Sequence, residues 1–192
     1  MSVTTTLKKL KFSDGLELID EGAVFIDLRP TEAYLDVHVP GSLDLVYEWG
    51  PGMSTRARDC IPLTTPLILI EDGEADMVHA AASLRGKGFN VAGVVDDAVN
   101  NWVKSGGKPA STEVLTAKEP PGGLLLDVAD PGAKAPQGAT RIPADSLWKR
   151  SEEFAAERRV TVVAGYGVRA GLALGILEHA GVRSTVFWKT LS

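Results

Sequence analysis

The sequence predicts an α/β protein made of two similar halves, each a mainly parallel sheet flanked by helices. Short apolar runs alternate with amphipathic stretches, as expected when strands of a parallel sheet alternate with helices. A strongly apolar strand that ends in aspartate occurs twice, and the two aspartates, Asp27 and Asp127, lie 100 residues apart. A repeat of this length in a chain of 192 residues predicts two small domains.

In the first half, the pattern predicts a helix over residues 13–20 with Ser13 as its cap, and the strand over residues 23–26. A single helical turn follows Pro30. The next elements are a strand at 66–70, a helix at 76–85, a strand at 89–95 and a helix at 98–104. Residues 44–58 are predicted to be irregular because Gly50, Pro51 and Gly52 interrupt any period.

The second half repeats this order in a shorter form. It has strands at 124–128, 160–163 and 184–188, and helices at 145–159 and 170–179. No counterpart of the helix at 98–104 follows the last strand. We therefore predict domains at 1–108 and 109–192, the second shortened at its C-terminus, either because the natural chain continues or because something else covers that face.

Composition excludes several function classes. Twenty basic and 25 acidic residues give a net charge of −5 without a basic stripe, so nucleic acid is not an expected partner. No apolar run can span a bilayer and residues 1–10 lack a signal-peptide core, so we expect a cytoplasmic protein with no membrane partner. The single cysteine, Cys60, excludes an internal disulfide. His79 and His179 have no second ligand one helical turn away, and neither a metal nor a cofactor is expected.

Three short motifs follow the first predicted strand. Their residues are Asp27, Arg29, Glu32, Tyr34, His38, Pro40 and Gly41. The arrangement closely resembles the opening of a rhodanese domain, the sulfurtransferase fold. The second half keeps fewer of these residues, with Ala129 in place of the arginine and no histidine at the corner. A tandem pair with degenerate loops is similar to the rhodanese tails of metallo-β-lactamase-fold persulfide dioxygenases, although the histidine-rich ligand run of that enzyme domain is absent here.

The resemblance also locates the position where catalysis would occur. In active rhodaneses a cysteine opens a Cys-x-x-Gly-x-Arg loop, whose amides and following helix N-terminus stabilise a thiolate and a bound anion. Here the nucleophile positions hold Glu71 and Ala164, so the resemblance implies no catalytic residue. The candidate anion-binding residues are Gly165, Tyr166, Gly167, Val168 and Arg169. They are either a residual small-anion or acyl-type site, or inherited geometry without a ligand.

The loop at residues 71–76 is predicted to repel anions, because it has four carboxylates in six residues. Asp27 and Asp127 are expected to order their own turns, and Arg29 to pair locally or, less favourably, to contact a ligand. His38 is expected to be a structural hydrogen-bonding residue. The glycines at positions 171 and 175 are expected to allow close packing of their helix on the sheet.

These observations favour a catalytically inactive tandem rhodanese-like protein that serves as a binding, regulatory or scaffold module. The expected partners are a protein, such as a sulfur-handling enzyme, and a small anion. The alternative is a thiosulfate or persulfide sulfurtransferase that uses Cys60 or a partner's cysteine. Cys60 itself is predicted to lie in a loop before the strand at 66–70, as a buried or inert thiol. A third possibility is a structural remnant without a ligand.

Overall fold

The computed structural model describes residues 6–130, 132–164 and 167–190. Its α-helices are α1 (Phe12–Asp20), α2 (Thr31–Asp36), α3 (Gly52–Cys60), α4 (Met77–Gly86), α5 (Ala98–Lys104), α6 (Ala144–Arg150) and α7 (Gly167–His179). Its strands are β1 (Val24–Asp27), β2 (Leu43–Asp44), β3 (Leu67–Glu71), β4 (Val91–Asp96), β5 (Glu113–Ala117), β6 (Leu124–Asp127), β7 (Thr140–Arg141), β8 (Val160–Val163) and β9 (Thr185–Thr190). A 3₁₀ turn, Ser151–Phe154, follows α6.

The strands form two parallel sheets, which confirms the predicted α/β class. The first sheet has the order β2-β1-β3-β4 and the second β5-β9-β8-β6-β7. The first order recurs in the second sheet as β7-β6-β8-β9. Lys9 forms a parallel bridge with Val94 of β4, at one edge of the first sheet. At the corresponding edge of the second sheet, β5 pairs with β9. Both sheets therefore have the same strand connectivity.

The central strands are continuous apolar runs because helices or loops cover both faces of a parallel sheet. All residues of β1 and β8 are buried, and in β3 only the last residue, Glu71, is partly exposed. Ligands of open parallel sheets bind beyond the carboxyl ends of the strands. The ends of β1, β3, β6 and β8 are therefore where functional side chains are expected.

Helix α7 lies between the two halves. Residues 170–177 are all buried, the pattern of a helix that is enclosed on every side. It packs on α2 and β2 of the first half as well as on β8 and β9 of its own. A Cβ at Gly171 would overlap Asp44 Oδ2, and one at Gly175 would lie 2.8 Å from the carbonyl oxygen of Ser42. The predicted close packing is confirmed, but the glycines meet β2 of the other half's sheet.

The buried apolar residues of the described part of the chain form three clusters. The largest apolar cluster contains residues of both halves and includes most of α7. A second cluster joins α1 and α5 to the opposite face of the first sheet. On the second sheet, a small cluster of Leu125, Val163 and Trp188 packs with Ala139. The last strand described, β9, has no following helix among the described residues, whereas α5 follows β4.

Three local predictions are corrected by the structure. The stretch predicted to be irregular contains α3, which begins directly after Pro51, because proline and glycine are tolerated at a helix N-terminus. Lys11 rather than Ser13 is the N-cap of α1, and it makes no side-chain capping bond. The helix predicted over residues 145–159 is shorter, since α6 ends at Arg150 and a 3₁₀ turn follows.

Candidate functional site

An aspartate–arginine pair holds the end of β1. Asp27 is fully buried, and its Oδ1 accepts hydrogen bonds from the backbone N–H of Arg29 at 3.1 Å and from its Nε at 2.9 Å. Arg29 Nη2 donates to Asp27 Oδ2 at 2.6 Å and to the carbonyl of Val37 at 2.8 Å. Hydrogen bonding to Asp27 raises the pKa of Arg29. The structural roles predicted for both residues are confirmed.

In the second half, Arg141 replaces the arginine that is missing from position 129. Asp127 Oδ1 accepts from the backbone N–H of Ala129 at 3.0 Å, which confirms its turn-ordering role. Its Oδ2 accepts from Arg141 Nε at 3.0 Å and Nη2 at 2.5 Å. Arg141 also donates to the carbonyl of Ala133, much as Arg29 does to Val37. Sequence comparison missed this pair because Arg141 reaches Asp127 from the neighbouring strand β7.

The predicted nucleophile position of the first half holds an ion-paired carboxylate, that of Glu71. Glu71 Oε2 lies 3.4 Å from Lys9 Nζ, which is also 3.2 Å from Asp96 Oδ2. Hydrogen bonding to Asp96 is the main reason that the pKa of Lys9 is raised. Asp76 Oδ1 caps α4 by accepting the backbone N–H of His79 at 2.9 Å. The carboxylates of this region therefore pair with the ammonium of Lys9 and with the backbone N–H of His79.

A phenol lies beside the N-terminus of α4. Tyr47 Oη is 3.2 Å from His79 Nδ1. Burial and then the charge of Asp76 raise the pKa of Tyr47, while a hydrogen bond with the Asp76 backbone lowers it. The phenol therefore contacts the first turn of α4 through His79.

Ala164, at the predicted nucleophile position of the second half, lines a pocket of about 300 Å³ between the halves. The pocket is lined by Thr31, Glu32, Leu35, Ala164, Gly167, Phe187 and Lys189. The ammonium of Lys189 lies 5.7 Å from the centre of the Phe187 ring. The pocket thus combines a methyl group, a helix N-terminus, one cation and one carboxylate, Glu32.

Only part of the predicted anion cradle lines this pocket. Gly165 and Tyr166 fall outside the described residues, and Val168 is not among the lining residues. The guanidinium of Arg169 forms an ion pair with Asp130 instead of facing the pocket. The cation in the pocket is Lys189, which no sequence motif singled out, because it comes from β9 and reaches the site through the fold.

Cys60 is the last residue of α3, not part of a loop as predicted. Its thiol is buried, and burial raises its pKa to about 12. The thiol borders a cavity of about 90 Å³ that also contacts Arg169 and Asp145. Since the thiolate is the nucleophile in sulfur transfer, this environment opposes catalysis by Cys60.

Hydrogen bonds join the two halves at the corner before β2. His38 is buried, with Nδ1 2.7 Å from the carbonyl oxygen of Tyr34 and Nε2 2.9 Å from Glu178 Oε2. Glu178 Oε2 also accepts the backbone N–H of Gly41 at 3.0 Å. The structural role predicted for His38 is confirmed. Its partner on α7 could not be identified from the first-half motif.

A buried carboxyl group, missed by the sequence analysis, lies at the same boundary. Asp44 Oδ2 accepts a hydrogen bond from Thr31 Oγ1 at 2.8 Å, while Oδ1 has no partner among the described residues. Burial raises the pKa of Asp44 from 3.8 to about 7; Asp27 and Glu32 act in the same direction, and Thr31 and Arg56 oppose it. Asp44 is therefore neutral for part of the physiological pH range.

Within residues 6–130, 132–164 and 167–190, no group of three or more His, Cys, Asp or Glu side chains could hold a metal ion. In that same part of the chain, no helix combines the length and apolar character needed to cross a membrane.

Comparison with known proteins gives one family match. The model of the rhodanese-like domain matches residues 12–105. A search of curated proteins gave no significant match.

Several solved structures are similar at low identity. The BH2092 protein from Bacillus halodurans is 21% identical over 54% of this chain and 76% of that chain, with a TM-score of 0.42. The thiosulfate sulfurtransferase from Pseudomonas aeruginosa is 17% identical over 96% of this chain, with a TM-score of 0.37. An EanB variant in complex with hercynine is 18% identical over 98% of this chain, with a TM-score of 0.40. The chain spans 41% and 60% of the length of the latter two. From the family match, residues 12–105 of this chain form a rhodanese-like domain.

Proposed function

We propose that this protein is a cytoplasmic tandem rhodanese-like protein that lacks sulfur-transfer activity and acts as a binding module. The common strand order of the two sheets supports a second rhodanese-like domain in residues 109–192. The aspartate–arginine pair at the ends of β1 and β6 supports it independently. The proposed partners are a small anion and a protein, in keeping with the resemblance to modules attached to sulfur-handling enzymes.

The observation that carries this proposal is the chemistry at the ends of β3 and β8. Sulfur transfer by this fold requires a thiolate that forms a covalent persulfide. Glu71 is ion-paired with Lys9, and Ala164 presents only a methyl group. The remaining thiol, Cys60, is buried at the end of α3 and has a pKa of about 12. None of these groups is suited to attack a sulfane sulfur.

Thiocyanate production from thiosulfate and cyanide tests the loss of catalysis. We expect the wild-type protein and the Cys60→Ser variant to match a blank without protein. Turnover that Cys60→Ser abolishes would overturn the proposal in favour of a sulfurtransferase that uses Cys60. Turnover that survives this substitution and repeated purification would also contradict it.

The pocket at Ala164 is the proposed anion site. Its support is the N-terminus of α7 together with Lys189, while Glu32 limits the affinity. Calorimetric titration with thiosulfate, sulfite and phosphate tests this site. We expect binding that Lys189→Gln weakens and Glu32→Gln strengthens, whereas Lys149→Gln, at an exposed lysine on α6, leaves it unchanged. Equal effects of the two lysine substitutions, or no binding, would contradict the site.

A further inference from the structure

We propose that an exposed aromatic surface on the first half binds a basic segment of a partner protein. The surface, hereafter the aromatic surface, consists of Tyr47, Trp49, Val78 and His79. It lies beside the loop at residues 71–76, whereas the Ala164 pocket lies between the halves. The inference therefore goes beyond the proposed anion site and can be tested separately.

The aromatic surface contains the most exposed large apolar side chains in the described part of the chain. Trp49 and Val78 are each 70% exposed, whereas Val103, the next, is 50% exposed. Trp49 lies between β2 and α3, and Val78 lies in the first turn of α4. The ring of Trp49 contacts that of His79, the residue after Val78, so Trp49 lies beside the start of α4. Apolar groups that cluster on a surface mark interaction sites, whereas scattered ones do not.

The rings of this surface are held in place by one another. The Trp49 and His79 rings have centroids 4.1 Å apart and are tilted by 37°. Tyr47 meets both edge-on, at 6.1 Å from Trp49 and 5.8 Å from His79. Its hydroxyl also lies 3.2 Å from His79 Nδ1. Trp49 is therefore positioned before binding, which lowers the entropic cost of using it as an anchor.

The charge around the aromatic surface selects the chemistry of the partner. Asp72, Glu74 and Asp76 are exposed, and none forms an ion pair with a lysine or arginine among the described residues. An arginine side chain can stack on an indole and pair with a neighbouring carboxylate at the same time. An acidic segment would be repelled. The surface therefore fits an extended segment in which basic residues alternate with apolar ones.

Binding of a labelled peptide with alternating arginine and leucine, followed by fluorescence anisotropy, tests the proposal. We expect binding that weakens as salt is added, and no binding of the same peptide with glutamate in place of arginine. Trp49→Ala should weaken binding at least tenfold and Trp49→Phe less so, since hot-spot aromatics account for much of an interface's affinity. Trp49 is 70% exposed, so thermal unfolding should show that the variants remain folded.

A charge-matched control separates this surface from general attraction to an acidic protein. Asp72→Asn with Glu74→Gln should weaken peptide binding and its salt dependence. Glu152→Gln with Glu157→Gln removes the same charge from exposed positions of the second half and should leave binding unchanged. Equal losses in the two double variants, an unaltered affinity of Trp49→Ala, or no binding by the wild type would overturn the proposal.

Discussion

In each half, a buried aspartate at the end of β1 or β6 pairs with an arginine, but the two arginines come from different sequence positions. In the first half Arg29 follows Asp27 by two residues, and in the second Arg141 reaches Asp127 from the adjacent strand. Both guanidiniums also bind a backbone carbonyl of the connecting segment. The folded geometry, rather than the sequence motif, is therefore common to the two halves.

This difference has a consequence at the neighbouring strand. Asp127 pairs in register with Arg141, whereas Asp27 pairs in register with Asp44. A carboxyl group therefore lies beside the aspartate in the first half, where the second half has a guanidinium. Arg29 pairs with Asp27, while Asp44 accepts a hydrogen bond from Thr31 and has no cation at hydrogen-bond distance among the described residues.

The largest expected effect is the pH dependence that Asp44 gives to stability. Its pKa is raised from 3.8 to about 7 in the folded state, so the folded protein retains a proton that the unfolded chain has lost. The free energy of unfolding should fall as pH rises from about 4 through 7, by at most about 4 kcal/mol from this group. Above pH 7 both states are ionised and the contribution stays constant.

Urea unfolding across this pH range, with wild type and Asp44→Asn, measures that contribution. Asp44→Asn should not show the part of the fall in the free energy of unfolding that Asp44 causes. As pH rises, the variant should therefore become more stable relative to the wild type. Asp14→Asn, at an exposed position of α1, should leave the wild-type profile unchanged. Parallel curves for wild type and Asp44→Asn would contradict the prediction.

Moving the arginine of the second half to the position that it has in the first half tests whether the two arrangements are equivalent. Arg141→Ala should reduce the free energy of unfolding by about 2–3 kcal/mol, because it leaves a buried carboxylate without its charged partner. Adding Ala129→Arg would place the guanidinium at the position it has in the first half, and should recover at least half of the loss. Chemical denaturation measures both variants.

Arg158→Ala is the control for this exchange, since Arg158 is exposed and forms no ion pair among the described residues. It should change stability little. If Ala129→Arg fails to restore stability while the protein remains folded, the two arrangements are not interchangeable.

Features of the fold that arise from neighbouring residues in the sequence could be predicted, whereas features that depend on contacts between distant residues could not. The apolar runs of β1, β3 and β8 predicted strands because continuous hydrophobicity is a local signal of burial on both faces. The turn made by Asp27 and Arg29 was also predictable, since both residues lie within one short segment. In contrast, Arg141, Lys189 and Asp44 act through strand neighbours and contacts between the halves.

The error at α3 has a different physical cause. Pro51 and Gly52 interrupt helices when they lie within them, but here they lie at the start of one. Without the structure, an interruption and an N-terminus look the same. The predicted domain boundary at residues 108 and 109, and the anion-binding role of residues 165–169, stay predictions.

Helix α7, which lies between the halves, packs closely on β2 at Gly171. Gly171→Ala should destabilise the protein by about 2 kcal/mol, because the added methyl group would overlap Asp44 and force α7 away from β2. Gly86→Ala adds the same group at the exposed end of α4, where nothing lies within 4 Å, and should be neutral or slightly stabilising. Thermal unfolding compares them. Equal effects would mean that α7 is not closely packed on β2.

The smallest effect concerns reaction rates rather than stability, and it compares the two predicted nucleophile positions. Ala164→Cys and Glu71→Cys, each in a Cys60→Ser background, place a thiol at the end of β8 or β3. The N-terminus of α7 and Lys189 favour a thiolate at position 164. At position 71 the exposed Asp72 and Asp76 oppose a thiolate, and Lys9, which lies 3.4 Å from Glu71 but also pairs with Asp96, offsets them only in part.

With iodoacetamide near neutral pH, we expect modification to be fastest at position 164 and slowest at Cys60 of the wild type, where burial raises the pKa to about 12. A tenfold difference between these two thiols is the least that their environments imply. Circular dichroism establishes that each variant is folded. If the thiol at position 164 reacts no faster than Cys60, the second loop does not stabilise an anion, and the Ala164 pocket loses its proposed role.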